Sequence, residues 1–196
     1  MSAGLQRREV VKALLADRGG LLVVAGLGSS AWDCTAAGDH PLTFPLWGAM
    51  GSACMIGLGL ALAQPKRRVL VVTGDGEMLM GLGSLAAVGA QRPRNLAVVV
   101  LDNERYGETG MQKTHTAYGT ELWAVARACG FTTARLIRGG AGVRAMRSGV
   151  YRGGGPLFYQ VKVKPESPPL FLPPRDGVQL KNRFREALLA GGALAE

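Results

Sequence analysis

The sequence predicts an α/β fold, in which a doubly wound, mainly parallel sheet carries helices on both faces. The main observation is a strand–helix–strand unit, formed by an apolar run at Val69–Thr73, a helix-like run at Glu77–Gln91 and a second apolar run at Leu96–Leu101. Strand-like and helix-like segments continue to alternate after this unit. The length of 196 residues and the apolar fraction of 47% fit one domain of α/β size.

The segments before the central unit follow the same pattern. Leu5–Asp17 has one apolar face and is predicted to be a helix that ends at Gly19-Gly20. Leu21–Ala25 is predicted to be a strand, and residues 26–31 a glycine-rich turn that leads into a short helix. The helical part of the uncharged stretch, at about Gly51–Ala63, is too short to span a bilayer, so we predict a buried helix.

The segments after the central unit complete one domain, predicted to cover residues 1–163. They are a helix at Glu121–Cys129, a strand at Thr132–Ile137, a helix at Gly140–Gly149 and a strand at Pro156–Val163. Residues 164–196 are predicted to be a Pro-rich C-terminal extension in which Val178–Leu189 forms a terminal helix. Such a tail either docks on a partner subunit or is disordered.

Charge and cysteine content narrow the classes of function. The formal charge is +9, from 23 Lys and Arg against 14 Asp and Glu, which fits nucleic acid, an anionic ligand, an acidic partner or simply a solvated basic surface. No helix-turn-helix, zinc or aromatic-platform pattern supports nucleic acid. Cys34, Cys54 and Cys129 lack paired metal-ligand spacing and favour reduced thiols in a cytoplasmic protein. The N-terminus is amphipathic rather than a signal peptide, and we predict no membrane association.

The polar ends of the two central strands are predicted to lie side by side. A helix of this length travels about 22 Å, and the second strand returns about 20 Å, so Asp75 and Asn103 emerge at the same carboxyl edge of the sheet. Ligands of open α/β sheets bind at that edge. A carboxylate, an amide oxygen and nearby carbonyls suit Mg²⁺, and the helix that opens at Gly76-Glu77 favours an anion such as diphosphate.

This stretch resembles the diphosphate-binding motif of thiamine diphosphate enzymes, in which Gly-Asp-Gly is followed at a set interval by Asn. Here the motif is Gly74-Asp75-Gly76, and residues 77–102 separate it from Asn103. The resemblance implies the thiamine diphosphate-binding fold, with thiamine diphosphate and Mg²⁺ as cofactors. It also implies that Asp75, Asn103 and the backbone carbonyl of Arg105 ligate the metal. The alternative is two ordinary loop ends, with Asp75 capping the helix.

A second stretch, Pro45–Gly51, resembles the loop of the same enzymes that precedes a Gly-rich helix. The resemblance implies that the Gly48 backbone meets the aminopyrimidine and that Met50 props the cofactor into a bent form; otherwise Met50 is a core methionine. The glycine spacing of residues 26–31 matches a dinucleotide-binding fingerprint, but no acidic residue follows at the distance that this fingerprint requires. We therefore expect the N–H groups of this turn and the Ser29 hydroxyl to face an anion, or the turn merely to need glycine.

The cofactor-binding residues predicted in this way share a place at the sheet edge or in one of the two loops. They are Ser29, Gly48, Met50, Gly74, Asp75, Gly76, Glu77, Asn103, Arg105, Tyr106 and Gly107. Glu77 departs from the small residue that decarboxylases of the family often carry. An acid beside a diphosphate is tolerable if it points to solvent or to an Arg, and its backbone N–H remains available to the phosphate.

The run Tyr106–Gly110, with Gln112 and Thr114–Thr116, looks most like sulfopyruvate and phosphonopyruvate decarboxylases, in particular a beta subunit. Such enzymes act on 2-oxoacids with a second anionic group, which Lys113 and Arg105 are candidates to hold; His115 is a candidate substrate donor. Surface solvation and a backbone-bound loop histidine are the alternatives.

The resemblance spans Leu21–Val163 and covers one of the two domains that the family needs. It therefore implies a pyrimidine-binding alpha subunit that supplies the catalytic glutamate, in a hetero-oligomer that also self-associates, and it assigns no certain catalytic residue to this chain. The alternative functions are an acetolactate-synthase-like carboligase and a non-catalytic regulatory module of the same fold.

Overall fold

The core of the fold is a six-stranded parallel sheet, seen in a computed structural model that describes residues 4–189. In chain order the strands are β1 (Leu22–Ala25), β2 (Thr43–Pro45), β3 (Val69–Gly74), β4 (Leu96–Asp102), β5 (Arg105–Tyr106), β6 (Gln112–Lys113), β7 (Thr133–Ile137) and β8 (Leu157–Lys162). The sheet has the order β2-β1-β3-β4-β8-β7, and every neighbouring pair is parallel. Strands β5 and β6 form a separate antiparallel hairpin. The predicted parallel sheet is confirmed.

Helices cover both faces of this sheet, as predicted. They are α1 (Arg7–Leu15), α2 (Ser29–Ala36), α3 (Ala53–Ala63), α4 (Asp75–Met80), α5 (Ser84–Gln91), α6 (Leu122–Ala128), α7 (Gly140–Arg152) and α8 (Gly177–Leu188). Successive strand residues point to opposite faces: Val23 and Ala25 join the core under α1, α2 and α7, whereas Leu22 and Val24 join the core under α3, α5 and α6. Among residues 4–189, no helix is long and apolar enough to cross a membrane.

The strand order places a topological switch between β1 and β3. The chain leaves β1 outward to β2 and then returns to β3 and β4 on the other side. Ligands of doubly wound sheets bind outside the carboxyl ends of strands at such a point. Asp75 and Asn103 directly follow β3 and β4, which are neighbours with Gly74 opposite Leu101.

The crossover between β3 and β4 contains two helices, so the single helix predicted over Glu77–Gln91 is wrong. Helix α4 begins at Asp75 and ends at Met80, and α5 begins at Ser84. A Cβ on Gly81 would lie 2.1 Å from the carbonyl oxygen of Gly51. The helix is interrupted where the backbones of Gly81 and Gly51 come into this close contact. The contact also brings the loop before α3 against the end of α4.

The C-terminal extension packs on the main domain of its own chain over its described part. The Trp47 indole donates to the carbonyl of Pro174 at 2.7 Å. Arg183 of α8 makes two hydrogen bonds to Asp39, and the Phe184 ring lies 5.5 Å from that of Phe44. The predicted terminal helix is present as α8, and the alternative of a disordered tail is not observed within residues 164–189.

Candidate functional site

A cavity opens at the carboxyl ends of β1, β3 and β4. Residues from six segments border it: α1, the turn after β1, the loop before α3, the start of α4, the loop after β4 and the residue that follows β8. It contains every predicted cofactor-binding residue except Gly48, which is exposed and lies outside it. The bordering residues are Arg7, Leu27, Ser29, Ser30, Met50, Gly74, Asp75, Gly76, Glu77, Leu101, Asn103, Arg105, Tyr106, Gly107, Glu108, Thr109 and Val163.

The Asp75 carboxylate is buried and held by two threonine hydroxyls. Asp75 is 2% exposed. The Thr114 hydroxyl donates to Oδ2 at 2.5 Å, and the Thr116 hydroxyl lies 3.1 Å from the same oxygen. Burial raises the pKa of Asp75 to about 6, an effect that the two threonines oppose and the nearby charge of Asp102 reinforces. A carboxyl with this pKa exchanges its proton near neutral pH, and a carboxyl has to be deprotonated to act as a metal ligand.

A second buried carboxylate, Asp102, ties this arrangement to the sheet. Its Oδ1 accepts the Thr116 hydroxyl at 2.8 Å, and its Oδ2 accepts Gln160 Nε2 at 2.5 Å and pairs with Lys162 Nζ at 2.8 Å. Asp102 is fully buried, so the lysine supplies the countercharge that a buried carboxylate requires. Thr116 therefore bridges a cation-paired carboxylate and the carboxylate at the cavity.

The loop after β4 places Asn103 and Arg105 by a local turn. The Asn103 Oδ1 accepts the backbone N–H of Arg105 at 2.9 Å, which is the Asx turn that Asn favours. The Arg105 guanidinium donates to the Glu104 carbonyl. Arg105 and Tyr106 then form β5, opposite Lys113 and Gln112 of β6.

The Tyr106 ring lies directly on Gly76. A Cβ on Gly76 would come within 2.6 Å of Tyr106 Cε1. The glycine of the motif is therefore required by this close approach. The ring forms one side of the cavity beside Asp75.

Among residues 4–189, Glu77 neither reaches solvent nor pairs with an Arg, so neither condition set for an acid beside a diphosphate is met. It is 4% exposed and accepts the Thr73 hydroxyl at 2.6 Å. Its carboxylate occupies the space where Gly26 lacks a side chain, since a Cβ there would lie 1.8 Å from Glu77 Oε2. Burial raises the pKa of the Glu77 carboxyl.

The turn after β1 borders the cavity and lies against the carboxylate of Glu108. Gly28 has a positive φ of 73°, and a Cβ there would meet the Glu108 carboxylate at 2.6 Å. Ser29 begins α2 and borders the cavity. The glycine requirement at this turn is thus explained by conformation and by contact with Glu108.

Met50 borders the cavity with 36% of its surface exposed. It lies between Ala49, at φ 60°, and Gly51, at φ 93°, so a residue with positive φ lies on each side of it. The alternative of a core methionine does not fit this exposure. The structure thus places Met50 at the cavity while Gly48 stays outside it.

Lys113 and His115, the candidate substrate contacts, are exposed and do not border the cavity. The Lys113 ammonium lies 5.6 Å from the centre of the Tyr118 ring. His115 begins a short 3₁₀ helix, His115–Tyr118. Its neighbours on both sides turn inward to Asp75, which leaves the histidine on the outer side of the loop. Contact with a substrate stays a prediction for both side chains.

The donor atoms fit a magnesium ion that also binds diphosphate. Among residues 4–189, no side chain donates a hydrogen bond to Asp75 Oδ1, because both threonines engage Oδ2. Asn103 and Arg105 border the same cavity, where an amide oxygen and a backbone carbonyl would add neutral oxygens to this carboxylate, and hard oxygen ligands are those that Mg²⁺ prefers. The side-chain-free surface of Gly74 leaves room for phosphate oxygens beside them.

Sequence reasoning missed four contributors to this site. The sequence patterns assign no role to Asp102, Thr73, Glu108 or Arg7. An acid at the end of an otherwise apolar strand was a usable signal for Asp102, since a buried carboxylate needs partners. The position of Arg7 depends on how α1 packs, which no local pattern reveals.

Comparison with known proteins shows the family to which this chain belongs. Residues 28–161 match the family described as "Thiamine pyrophosphate enzyme, C-terminal TPP binding domain", and the chain belongs to this family. Solved structures agree on the fold: benzoylformate decarboxylase from Polynucleobacter necessarius superposes with a TM-score of 0.66 at 18% identity, over 85% of this chain and 34% of that one.

Within the family, the chain is similar to beta subunits of sulfopyruvate decarboxylase. It is 37% identical over 180 residues to that of Methanothermobacter thermautotrophicus, covering 92% of this chain and 94% of the relative. The beta subunit from Methanocaldococcus jannaschii is 39% identical over 129 residues, or 65% of this chain and 68% of the relative. Phosphonopyruvate decarboxylase of Streptomyces viridochromogenes is 49% identical over 109 residues, but only 27% of that protein is covered.

Proposed function

We propose that this chain is the cofactor-binding subunit of a two-chain, thiamine diphosphate-dependent 2-oxoacid decarboxylase of the sulfopyruvate or phosphonopyruvate type. The observation that carries the proposal is the meeting of Asp75 and Asn103 at one cavity, in a chain that aligns along almost its whole length with a sulfopyruvate decarboxylase beta subunit. Residues 1–163 would form the cofactor-binding domain and residues 164–196 an extension of it.

The residues of this chain have distinct parts in the proposal. Asp75, Asn103 and the Arg105 carbonyl would hold Mg²⁺, and Gly74, Gly76 and Ser29 would border the diphosphate. Met50 would support the bent cofactor. Thiamine diphosphate, when bound, supplies the electron sink for loss of carbon dioxide. A partner alpha subunit would supply the catalytic glutamate.

The proposed substrate is a 2-oxoacid with a second anionic group, as in the named relatives. Arg105 borders the cavity, whereas Lys113 and His115 face outward on the same loop. We therefore favour Arg105 as the contact to the anionic group within this chain. The other two side chains would reach the substrate only where a partner chain completes the site over this loop.

The test is reconstitution with a candidate pyrimidine-binding partner. Carbon dioxide release from sulfopyruvate or phosphonopyruvate, dependent on both chains, thiamine diphosphate and Mg²⁺, is the expected result. Acetolactate formed from pyruvate alone would instead identify a carboligase. Absence of thiamine diphosphate binding by calorimetry in the presence of Mg²⁺ and the partner would identify a non-catalytic module.

A further inference from the structure

Arg7 is a buried cation at the cavity that the proposed function does not use. Arg7 is 4% exposed and lies on α1, before the part of the chain that matches the family. Helix α1 packs against α2 through the core that contains Val10, Leu14 and Ala31. This packing directs Arg7 toward the carboxyl edge of the sheet.

The guanidinium of Arg7 is incompletely paired. Its Nε lies 3.1 Å from Asp33 Oδ2, but these two atoms lack hydrogen-bond geometry and have no hydrogen bond among the described residues. Arg8 shares the same carboxylate, with its Nε 3.1 Å from Oδ1. Within residues 4–189, Asp33 is the only carboxylate at ion-pair distance from Arg7. One carboxylate thus serves two arginines, and a buried cation gains strongly from a further anion.

Two cavities meet at Arg7. The first is the cofactor cavity, and the second lies beneath Glu166–Pro168 of the C-terminal extension. Ser29 and Asn103 border both cavities, whereas Met50 borders only the first. Arg7 therefore lies toward the diphosphate end and away from the end where Met50 would support the rings.

We propose that Arg7 binds the terminal phosphate of the thiamine diphosphate, an inference that rests on the proposed function. Guanidinium groups bind phosphate oxygens through charge-assisted hydrogen bonds. Of the described residues 4–189, the cavity otherwise presents the acids Asp75, Glu77 and Glu108 and, apart from Arg7, only the cation Arg105, whose Nη1 donates to a backbone carbonyl. Arg7 offsets the repulsion between these acids and a diphosphate.

The test compares Arg7→Gln with Arg8→Gln. Both remove one positive charge from the same carboxylate, but Arg8 donates to the Pro169 carbonyl, lies against Phe171 and does not border the cavity. The full-length chain, assembled with its partner, is titrated by calorimetry with magnesium pyrophosphate, thiamine diphosphate and thiamine monophosphate. We expect Arg7→Gln to weaken the first two about 10- to 100-fold. We expect the monophosphate to bind Arg7→Gln and wild type within about threefold, and Arg8→Gln to resemble wild type for all three ligands.

Unchanged pyrophosphate affinity in Arg7→Gln would overturn the proposal, as would a wild-type complex with the partner that binds no pyrophosphate. Neither result touches the proposed function, which is judged by carbon dioxide release and by wild-type thiamine diphosphate binding with the partner chain. If Arg7→Gln instead weakens only sulfopyruvate binding in the assembled enzyme, Arg7 recognises substrate and the proposal is wrong. Should Arg7→Gln fail to fold by circular dichroism, the pair Arg7→Met with Asp33→Asn removes both charges together, with the same expectations.

Discussion

Replacing Thr114 by Val tests whether Asp75 must be ionised to bind the metal. Val keeps the shape of Thr and removes the hydroxyl that donates to Asp75 Oδ2 at 2.5 Å. A hydrogen bond to a charged group contributes about 1.5–3 kcal/mol. The Thr116 hydroxyl, 3.1 Å from the same oxygen, remains, but it compensates only in part because its single proton also serves Asp102 Oδ1 at 2.8 Å. We therefore expect a net loss of about 1–2 kcal/mol for the ionised carboxylate.

The consequence is a shift in pH dependence rather than a uniform loss of binding. Burial raises the pKa of Asp75 to about 6 in the wild type, and loss of the Thr114 donor raises this pKa further. Because Mg²⁺ competes with the proton, the pH of half-maximal metal-dependent cofactor binding should rise by about one pH unit. The affinities of mutant and wild type should nearly coincide at pH 8 and differ several-fold at pH 6.

The assay is calorimetric titration of Mg²⁺ and thiamine diphosphate into the subunit with its partner between pH 5.5 and 8. Thr109→Val is the matched control, because the Thr109 hydroxyl bonds Gln112 in the same loop and does not touch Asp75. Its pH profile should match the wild type. Parallel curves for Thr114→Val and wild type, offset equally at every pH, would refute the role given to Asp75 ionisation.

Three further predictions use the same site. Asp75→Asn should abolish metal-dependent cofactor binding yet stabilise the cofactor-free chain at pH 7–8, by at most about 3 kcal/mol; melting temperatures at pH 4 and pH 8 check this, and an equal change at both would contradict it. Met50→Ala should leave cofactor affinity within about threefold but lower turnover about 100-fold, measured as carbon dioxide release; unchanged turnover would remove its supporting role. Lys162→Met should destabilise the fold by about 3 kcal/mol, because Asp102 loses its buried cation; urea denaturation measures it, with exposed Lys66→Met as control.

The sign of the Asp75→Asn effect follows from the direction of the pKa shift. The folded-state pKa of Asp75 lies above the unfolded value of 3.8. Its contribution to stability is therefore fully present below pH 4 and is lost as the pH rises through about 6. The ionised carboxylate thus destabilises the cofactor-free chain at neutral pH, and the neutral amide removes this cost.

The strand ends could be predicted because they depend on local pattern and on strand length. Runs such as Val69–Gly74 and Leu96–Asp102 are too apolar for loops, and parallel strands joined by a crossover must end at the same edge. The break in the helix after Met80 could not be predicted in the same way. It depends on the backbone contact between Gly81 and Gly51, a long-range fact that helix propensity does not contain.

The side-chain partners were the least predictable part. Thr114 and Thr116 lie within a stretch noted for its resemblance to decarboxylases, yet their hydroxyls hold Asp75 rather than a substrate. The space that Glu77 occupies exists because Gly26 has no side chain. Each such partner lies far away in sequence or on another element, so only the packed fold specifies it.

The two buried carboxylates at the strand ends differ in one respect that links stability to function. Asp102 has the ammonium of Lys162 at 2.8 Å, whereas Asp75 has no cation at ion-pair distance among residues 4–189 and is held only by neutral hydroxyls. Neutral donors position an anion but leave its charge uncompensated, which is why burial dominates the pKa of Asp75. Asp102 is therefore anchored by a paired cation, whereas under the proposed function Asp75 would be stabilised by a divalent ion, so that metal binding at Asp75 should also strengthen the fold.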